Sequence, residues 1–449
     1  MDRGSWPKRW RMDGLRIVTM DDSLGTFEGS IEVAGGRIAA VGPHLPAPGP
    51  GIARLDRHDW VALPGFIQGH LHLCQTLFRG LADRRRLDRW LGERIWPLEA
   101  AHDDESLVVS ARLGIAEALL AGATTILDMG TVRGTDRIAR VIEEMGIRAI
   151  IGQALMDTGE GVPEPLRVDP DRAWAEAKEL CETFDGAGEG RIGVAYAPRF
   201  TLSVSEDLWR KIATEARRTG RLVHTHISET PWENETCRRL HGGLPLEVLE
   251  RWGVLEAPTA LVHAVWIDEG DRERLRRSGA GVVHCPGSNA KLGSGIADVA
   301  ALLEADIPVA LGSDAAACDD ALSIPLEMRL ASQLQCLRHG PERLPATAPL
   351  EMATSLGARV LGWAERVGSL TPGKEADLVL YRRDDLPWPA ERPLADALTW
   401  TQPRTRPREV IVAGRRLVAD GALVEGDENE IRAEATAQRR AVWDRSGLE

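Results

Sequence analysis

The hydrophobic pattern changes character along the chain. Between residues 66 and 312, short apolar runs alternate with longer stretches in which apolar residues recur every three or four positions. The runs are 66–69, 125–129, 148–154, 192–197, 222–227, 260–265, 281–285 and 309–312, and they read as buried strands. The stretches 104–121, 136–145, 171–184, 205–219, 268–278 and 296–305 have the period of amphipathic helices. Eight strand-like runs with intervening helices over roughly 300 residues predict an α/β fold, a (β/α)8 TIM barrel. A doubly wound open sheet shares the alternation and is the alternative. Polar residues crowd the C-terminal ends of the runs, where barrel enzymes carry their chemistry, and this favours the barrel.

The two ends of the chain read differently. Short β-type pieces broken by Gly and Pro occur at 15–20, 30–33 and 37–41. The same style returns at 376–381, 409–412 and 416–418, with Gly373 and Gly414 at the turns. One small sheet domain built from both termini follows. The predicted division is 1–62 for its first part, 63–365 for the barrel, and 366–449 for its second part with a polar terminal helix at 428–443.

Composition narrows the partners. The chain has 449 residues and a net charge of −13, which argues against nucleic acid or an anionic membrane surface, since phosphate binding needs a basic face. No run of apolar residues is long enough to span a bilayer, and the basic start of the chain is not followed by the apolar core of a signal peptide. The six cysteines are scattered without a Cys-x-x-Cys pair, so no zinc ribbon or redox motif is expected and a reducing cytoplasm is.

The candidate chemistry sits at the strand ends. The apolar run through Phe66 leads to His70-Leu71-His72, and residues two apart on a strand point to one side, so both imidazoles can reach one ion. Strand four ends in Pro198-Arg199-Phe200. Strand five carries His224-Thr225-His226 and then Ser228-Glu229. Strands six, seven and eight end in His263, His284-Cys285 and Gly312-Ser313-Asp314. Six of the eleven histidines thus gather on one rim, which packing alone does not explain.

These motifs resemble the amidohydrolase superfamily, in particular its purine and aminohydrolase branch. The phrases His226-Ile227-Ser228-Glu229-Thr230, His284-Cys285-Pro286-Gly287-Ser288-Asn289 and Gly312-Ser313-Asp314 carry the resemblance. It extends from Gly14 to the segment Gly373-Lys374-Glu375-Ala376-Asp377-Leu378. It implies a barrel flanked by a β-sandwich from both termini. It also implies metal ligands at His70, His72, His226 and Asp314, and catalytic roles for Glu229, His263 and Asp314. Three neutral imidazoles and one carboxylate suit Zn2+ or Fe2+. Such an ion lowers the pKa of a bound water from 15.7 toward about 7, so that hydroxide is available for attack on an aromatic C–NH2 carbon at neutral pH. In the implied mechanism Glu229 protonates the adjacent ring nitrogen. Asp314 passes the water proton to the departing ammonia, and His263 stabilises developing charge. Two-metal relatives add a carboxylated lysine on strand four. The segment 191–200 has no lysine, so one divalent ion per chain, zinc before iron, is implied.

Within the superfamily, the loop after strand one looks most like 5'-deoxyadenosine deaminases and the related methylthioadenosine and S-adenosylhomocysteine deaminases. The implied substrate-binding residues are Gln75, Trp96, Glu99, Arg199, Phe200 and Glu229. Glu99 matches a glutamate that contacts ribose hydroxyls, although guanine deaminase also carries one there. Trp90 and Trp96 either stack on a purine or pack the loop. Arg199 departs from the histidine of the adenosine-type relatives, and Pro198-Arg199-Phe200 with Gln75 resembles guanine deaminase. Arginine and glutamine offer donors to a lactam carbonyl; alternatively, Arg199 pairs with a carboxylate. The implied activity is hydrolytic deamination of an adenosine-type purine nucleoside to the inosine analogue and ammonia. Guanine-like or pterin lactam deamination, triazine aminohydrolysis or chlorohydrolysis, and a non-catalytic scaffold are the alternatives. Relatives are often dimers or tetramers, and a homo-oligomer is expected.

Several weaker signals are set aside or left open. His224 could compete as a ligand but is expected to support one, and His284 either lines the site or packs. The remaining histidines (His44, His58, His102, His241 and His339) read as surface or helix residues. The stretch 188–193 formally fits G-x-G-x-x-G but precedes a strand rather than following one, so it reads as a loop. The H-x-E and P-C-x-x-C elements of the base-flipping zinc deaminases are absent, which excludes that unrelated fold.

Overall fold

The structure is a computed structural model that describes residues 6–386, 394–401 and 406–449. The N-terminal strands are β1 (Arg9–Val18), β2 (Thr26–Ala34), β3 (Arg37–Gly42) and β4 (Ala53–Pro64). Next come β5 (Phe66–Leu71), β6 (Ala123–Asp128), β7 (Arg148–Leu155), β8 (Ile192–Pro198), β9 (Val223–Ile227), β10 (Thr259–His263), β11 (Gly281–His284) and β12 (Val309–Leu311). The C-terminal set is β13 (Leu378–Arg382), β14 (Glu409–Val412), β15 (Arg415–Ala419) and β16 (Ala422–Leu423).

Strands β5 to β12 pair in sequence order, all in parallel. The barrel closes where Leu71 bridges Asp314 and the Asp314 N–H donates to the His70 carbonyl at 3.1 Å. Closure depends on two glycines. A Cβ on Gly69 would stand 2.8 Å from the Leu311 carbonyl oxygen, and one on Gly312 would stand 2.9 Å from the His70 main chain. Any side chain there would push the first and last strands apart, and with them the residues they carry.

The terminal strands form one sheet in the order β16-β15-β14-β13-β4-β1-β2-β3. The seam between the two ends of the chain is the antiparallel pairing of β4 with β13, with Leu63 opposite Val379. The sheet carries one core that joins Trp10, Met12 and Ile31 from its first half to Leu378 and Ile411 from its second. Strand β1 begins six residues before the predicted piece. Its alternation is broken at Gly14, where the register shifts between Asp13 and Leu15, and Arg11 and Asp13 are buried against each other at 2.7 Å.

The sheet domain is stapled to the barrel by Arg148 of β7. Its guanidinium is fully buried and donates to Asp377 at 2.7 and 3.0 Å and to Glu375 at 3.2 Å. The terminal helix, Glu428–Ser446, packs on the helix Asp104–Leu120, with Arg112 paired to Glu434 at 3.1 Å. All six cysteines are free thiols. Among the described residues no helix is long and apolar enough to cross a membrane.

Candidate active site

Four of the strand-end side chains converge. Ligand atoms of His70, His72, His226 and Asp314 all lie within 4.8 Å of one another. His70 and His72 Nε2 stand 3.2 and 3.4 Å from Asp314 Oδ1, and His72 Nε2 stands 3.3 Å from His226 Nε2. The surroundings aim bare lone pairs into this space. His226 Nδ1–H donates to the Arg199 carbonyl at 2.7 Å, which leaves Nε2 without a proton. His70 Nδ1 is held 2.8 Å from His224 Nε2, so His224 supports a neighbouring imidazole.

Electrostatics fit a cation. Burial, then the neighbouring imidazoles, hold His72 and His226 well below the usual histidine range, so both stay neutral. Burial also lowers His70, against the pull of Asp314. Burial opposes ionisation of Asp314, but His70, His263 and His72 hold its carboxyl well below the ordinary value. Three neutral imidazoles around one carboxylate, in a buried pocket, form a donor set for a divalent metal.

Glu229 and His263 stand on the open side of this cluster. His263 Nε2 lies 3.6 Å from Glu229 Oε2 and 3.9 Å from Asp314 Oδ2. His263 Nδ1–H donates to Asn289 Oδ1 at 2.9 Å, which points Nε2 at the two carboxylates. Ser294 Oγ donates to Glu229 Oε1 at 2.8 Å, and Ser288 Oγ donates to Asp314 Oδ2 at 2.7 Å. The Cys318 thiol reaches the same oxygen at 3.2 Å. Burial pushes the Glu229 carboxyl up, toward a proton-carrying form. The backbone here is strained: Ser228, His263 and Asp314 have φ of 46°, 74° and 60°, left-handed values that non-glycine residues seldom adopt.

The cavity over the cluster is lined by His72, Gln75, Leu87, Trp90, Leu91, Arg199, Phe200, His226, Glu229, Glu233, His263 and Asp314. Leu87, Trp90 and Leu91 belong to a helical segment that runs from Leu87 through a π-helical turn at Leu91–Ile95 to Trp96–Ala100. This segment belongs to the long loop after strand one and covers the pocket mouth. It narrows the cavity, which measures about 30 Å³.

Of the residues expected to bind substrate, Gln75, Arg199, Phe200 and Glu229 line this cavity, and Trp96 and Glu99 do not. Glu99 sits behind the wall, where Arg199 Nη1 and Nη2 donate to it at 2.6 and 3.1 Å and Gln75 Nε2 donates at 2.8 Å. Trp96 is buried beyond the π-helical turn, and Trp90 takes the lining position. The Arg199–Glu99 pair corresponds to the expectation that Arg199 pairs with a carboxylate. A carboxylate only accepts, so Gln75 must turn its amide nitrogen to Glu99, and its Oε1 is left buried and unpartnered. His284 is buried with both ring nitrogens unpartnered, and burial pulls its pKa down to about 3. Sequence reasoning missed Glu233, Ser294 and Cys318. It quoted Ser288 and Asn289 within a motif without assigning them a contact.

A (β/α)8 barrel with three histidines and an aspartate on its C-terminal rim, faced by a glutamate and a further histidine, has the architecture of a metal-dependent hydrolase. Residues 61–417 match the amidohydrolase family, and the chain belongs to it. It is 35% identical over 438 residues to a 5-methylthioadenosine/S-adenosylhomocysteine deaminase of Pelotomaculum thermopropionicum, covering 96% of this chain and 98% of that protein. It is 36% identical over 409 residues to a 5'-deoxyadenosine deaminase of Methanothermobacter thermautotrophicus, covering 90% and 92%. Among solved structures, an adenosine deaminase from Xanthomonas campestris with bound zinc superposes with a TM-score of 0.89 at 28% identity, covering 98% of this chain and 99% of that one.

Proposed function

We propose that the protein is a metal-dependent aminohydrolase that converts an adenosine-type purine nucleoside, 5'-deoxyadenosine, methylthioadenosine or S-adenosylhomocysteine, to the inosine analogue and ammonia. The observation that carries the reading is the meeting of Glu229, His263 and Asp314 on the open face of a three-histidine, one-aspartate cluster. The names of the relatives supply the substrate class. One divalent ion held by His70, His72, His226 and Asp314, with zinc the first choice from the zinc-bound neighbour, supplies an activated water at neutral pH when bound.

The chain's own residues do the rest. Glu229 carries the proton that goes to the ring nitrogen beside the amine-bearing carbon, because burial favours its protonated form and Ser294 orients it. Asp314 takes the proton of the attacking water on Oδ2 and delivers it to the departing nitrogen; Ser288 and Cys318 hold that oxygen in place. His263, fixed by Asn289, stands between the two carboxylates and steadies the charge that develops during addition. The roof at Leu87, Trp90 and Leu91 excludes bulk water once substrate is in place.

One observation favours a second reading. Gln75 and Arg199 present polar groups to the cavity while Glu99 is occupied behind them, an arrangement that also suits a guanine-like lactam. An ammonia-release panel of adenosine, 5'-deoxyadenosine, methylthioadenosine, S-adenosylhomocysteine, guanine and pterins separates the two. Turnover of the adenosine-type members is the expected result, and turnover of guanine alone overturns the first reading.

A further inference from the structure

Glu233 has no part in the mechanism above, yet its side chain reaches the catalytic glutamate's main chain. It is the third residue of the helix Pro231–His241, whose capping residue Thr230 accepts the Glu233 N–H on its Oγ1 at 3.3 Å. A glutamate at this position ordinarily turns back to the N–H of the capping residue. Here Oε2 reaches one residue further and accepts the Glu229 N–H at 2.8 Å. That N–H follows Ser228, whose φ of 46° is costly for a residue with a side chain, so this peptide needs an external hold to keep its place. The other oxygen, Oε1, is buried without a partner, and Glu233 lines the same cavity as Glu229 with only 1% of its surface exposed. A buried acceptor left empty is expensive, and the opening beside it is the substrate cavity.

We propose that Glu233 holds and reads at once: Oε2 fixes the main chain that aims Glu229, and Oε1 takes its hydrogen-bond partner from the polar edge of the substrate heterocycle. The first half stands on the geometry alone, and the second rests on the aminohydrolase reading. Burial, with help from Glu229, pushes the Glu233 carboxyl up to about 7, and Oε2 can accept the Glu229 N–H in either protonation state.

The test uses the metal-loaded full chain with Glu233→Gln and Glu233→Leu. Glutamine keeps an oxygen for the Glu229 N–H and puts an amide NH2 where Oε1 was. Leucine removes both contacts. Hydrogen exchange by mass spectrometry over residues 227–234 is expected to be about tenfold faster in Glu233→Leu and unchanged in Glu233→Gln. Steady-state kinetics use whichever panel member the wild type turns over fastest. Glu233→Gln should raise KM about tenfold and leave kcat within about threefold, and Glu233→Leu should lower kcat about a hundredfold. Glu233→Asp, one methylene short of Glu229, should show the faster exchange as well if the leucine variant does not accumulate. Unchanged exchange in Glu233→Leu and Glu233→Asp overturns the hold. A wild-type KM in Glu233→Gln overturns the reading of substrate. A lower melting temperature with unaltered kcat and KM reduces Glu233 to packing and overturns both. If the wild type releases ammonia from no panel member, the aminohydrolase reading fails and takes the recognition half with it, while exchange still decides the hold.

Discussion

Replacing Arg199 by methionine tests the polar wall of the cavity. In the structure both terminal guanidinium nitrogens reach Glu99, at 2.6 and 3.1 Å, and Arg199 and Glu99 are 5% and 6% exposed. Without the guanidinium, the Glu99 carboxylate is left with the Gln75 amide as its donor, at 2.8 Å. Breaking a buried pair from one side costs about 3–5 kcal/mol, because the other charge stays buried and uncompensated. A chain of 449 residues has an unfolding entropy of roughly 0.9 kcal/mol/K at its midpoint, taking about 2 cal/mol/K per residue. The melting temperature of Arg199→Met should therefore fall by about 3–5 °C in scanning calorimetry at fixed metal and scan rate. The double variant Glu99→Gln/Arg199→Met removes both charges, and the amide introduced in place of the Glu99 carboxylate still offers Gln75 a carbonyl oxygen. It should recover most of the loss, to within about 1–2 kcal/mol of wild type, because a neutral replacement of the whole pair leaves no stranded charge. A fall below about 1 °C in the single variant, or a double variant as unstable as the sum of the two singles, would refute this account of the wall.

Three further outcomes follow from the same structure. Glu229→Gln should keep its metal by elemental analysis and lose about 10²–10⁴-fold in kcat, since the amide cannot supply the proton; near-normal turnover removes Glu229 from its role. Dialysis against a chelator should abolish ammonia release and lower the melting temperature, and one equivalent of Zn2+ should restore both; full activity in metal-free protein contradicts the four-ligand cluster. Asp319 gives a stability signature with a definite sign. Burial, then the Asp314 charge, pushes its carboxyl up, and the buried Glu327 carboxyl beside it is raised as well, so the folded state holds a proton on this pair more tightly than the unfolded state. Its effect is absent below the unfolded pKa, and the folded state loses stability as pH rises above about 4. Asp319→Asn should flatten that decline in a series of melting curves, and a slope identical to wild type would show that Asp319 does not titrate in this window.

The barrel and the meeting of His70, His72, His226 and Asp314 were legible because their sequence signals are local. An apolar strand that ends in His70-Leu71-His72 or Gly312-Ser313-Asp314 announces both the strand and the rim at which it stops, and the barrel turns those ends into neighbours. What was not legible depends on contacts between distant residues. Glu99 lies 24 positions from Gln75 and 100 from Arg199, and nothing nearby in sequence shows that the three share one cluster or that Glu99 stands behind the wall. Thr230-Pro231-Trp232-Glu233 reads locally as an ordinary helix cap, and only the fold bends the glutamate past its cap to residue 229.

The left-handed residues at the rim are hidden for a related reason. Glycine is the residue that announces such a turn in a sequence, yet the chain places serine, histidine and aspartate at φ of 46°, 74° and 60°. Each costs on the order of 1–3 kcal/mol unless its surroundings hold it there. At two of the three, the side chain is itself a member of the site, so glycine would relieve the strain and delete the chemistry. At the third, Ser228, the strain lies in the main chain just before Glu229, and the hold comes from outside the strand through Glu233. Left-handed residues also occur away from the site, at Met20, Asp59 and Asp306 among others, so what sets these three apart is their meeting over one cluster, where the packed barrel offsets the cost.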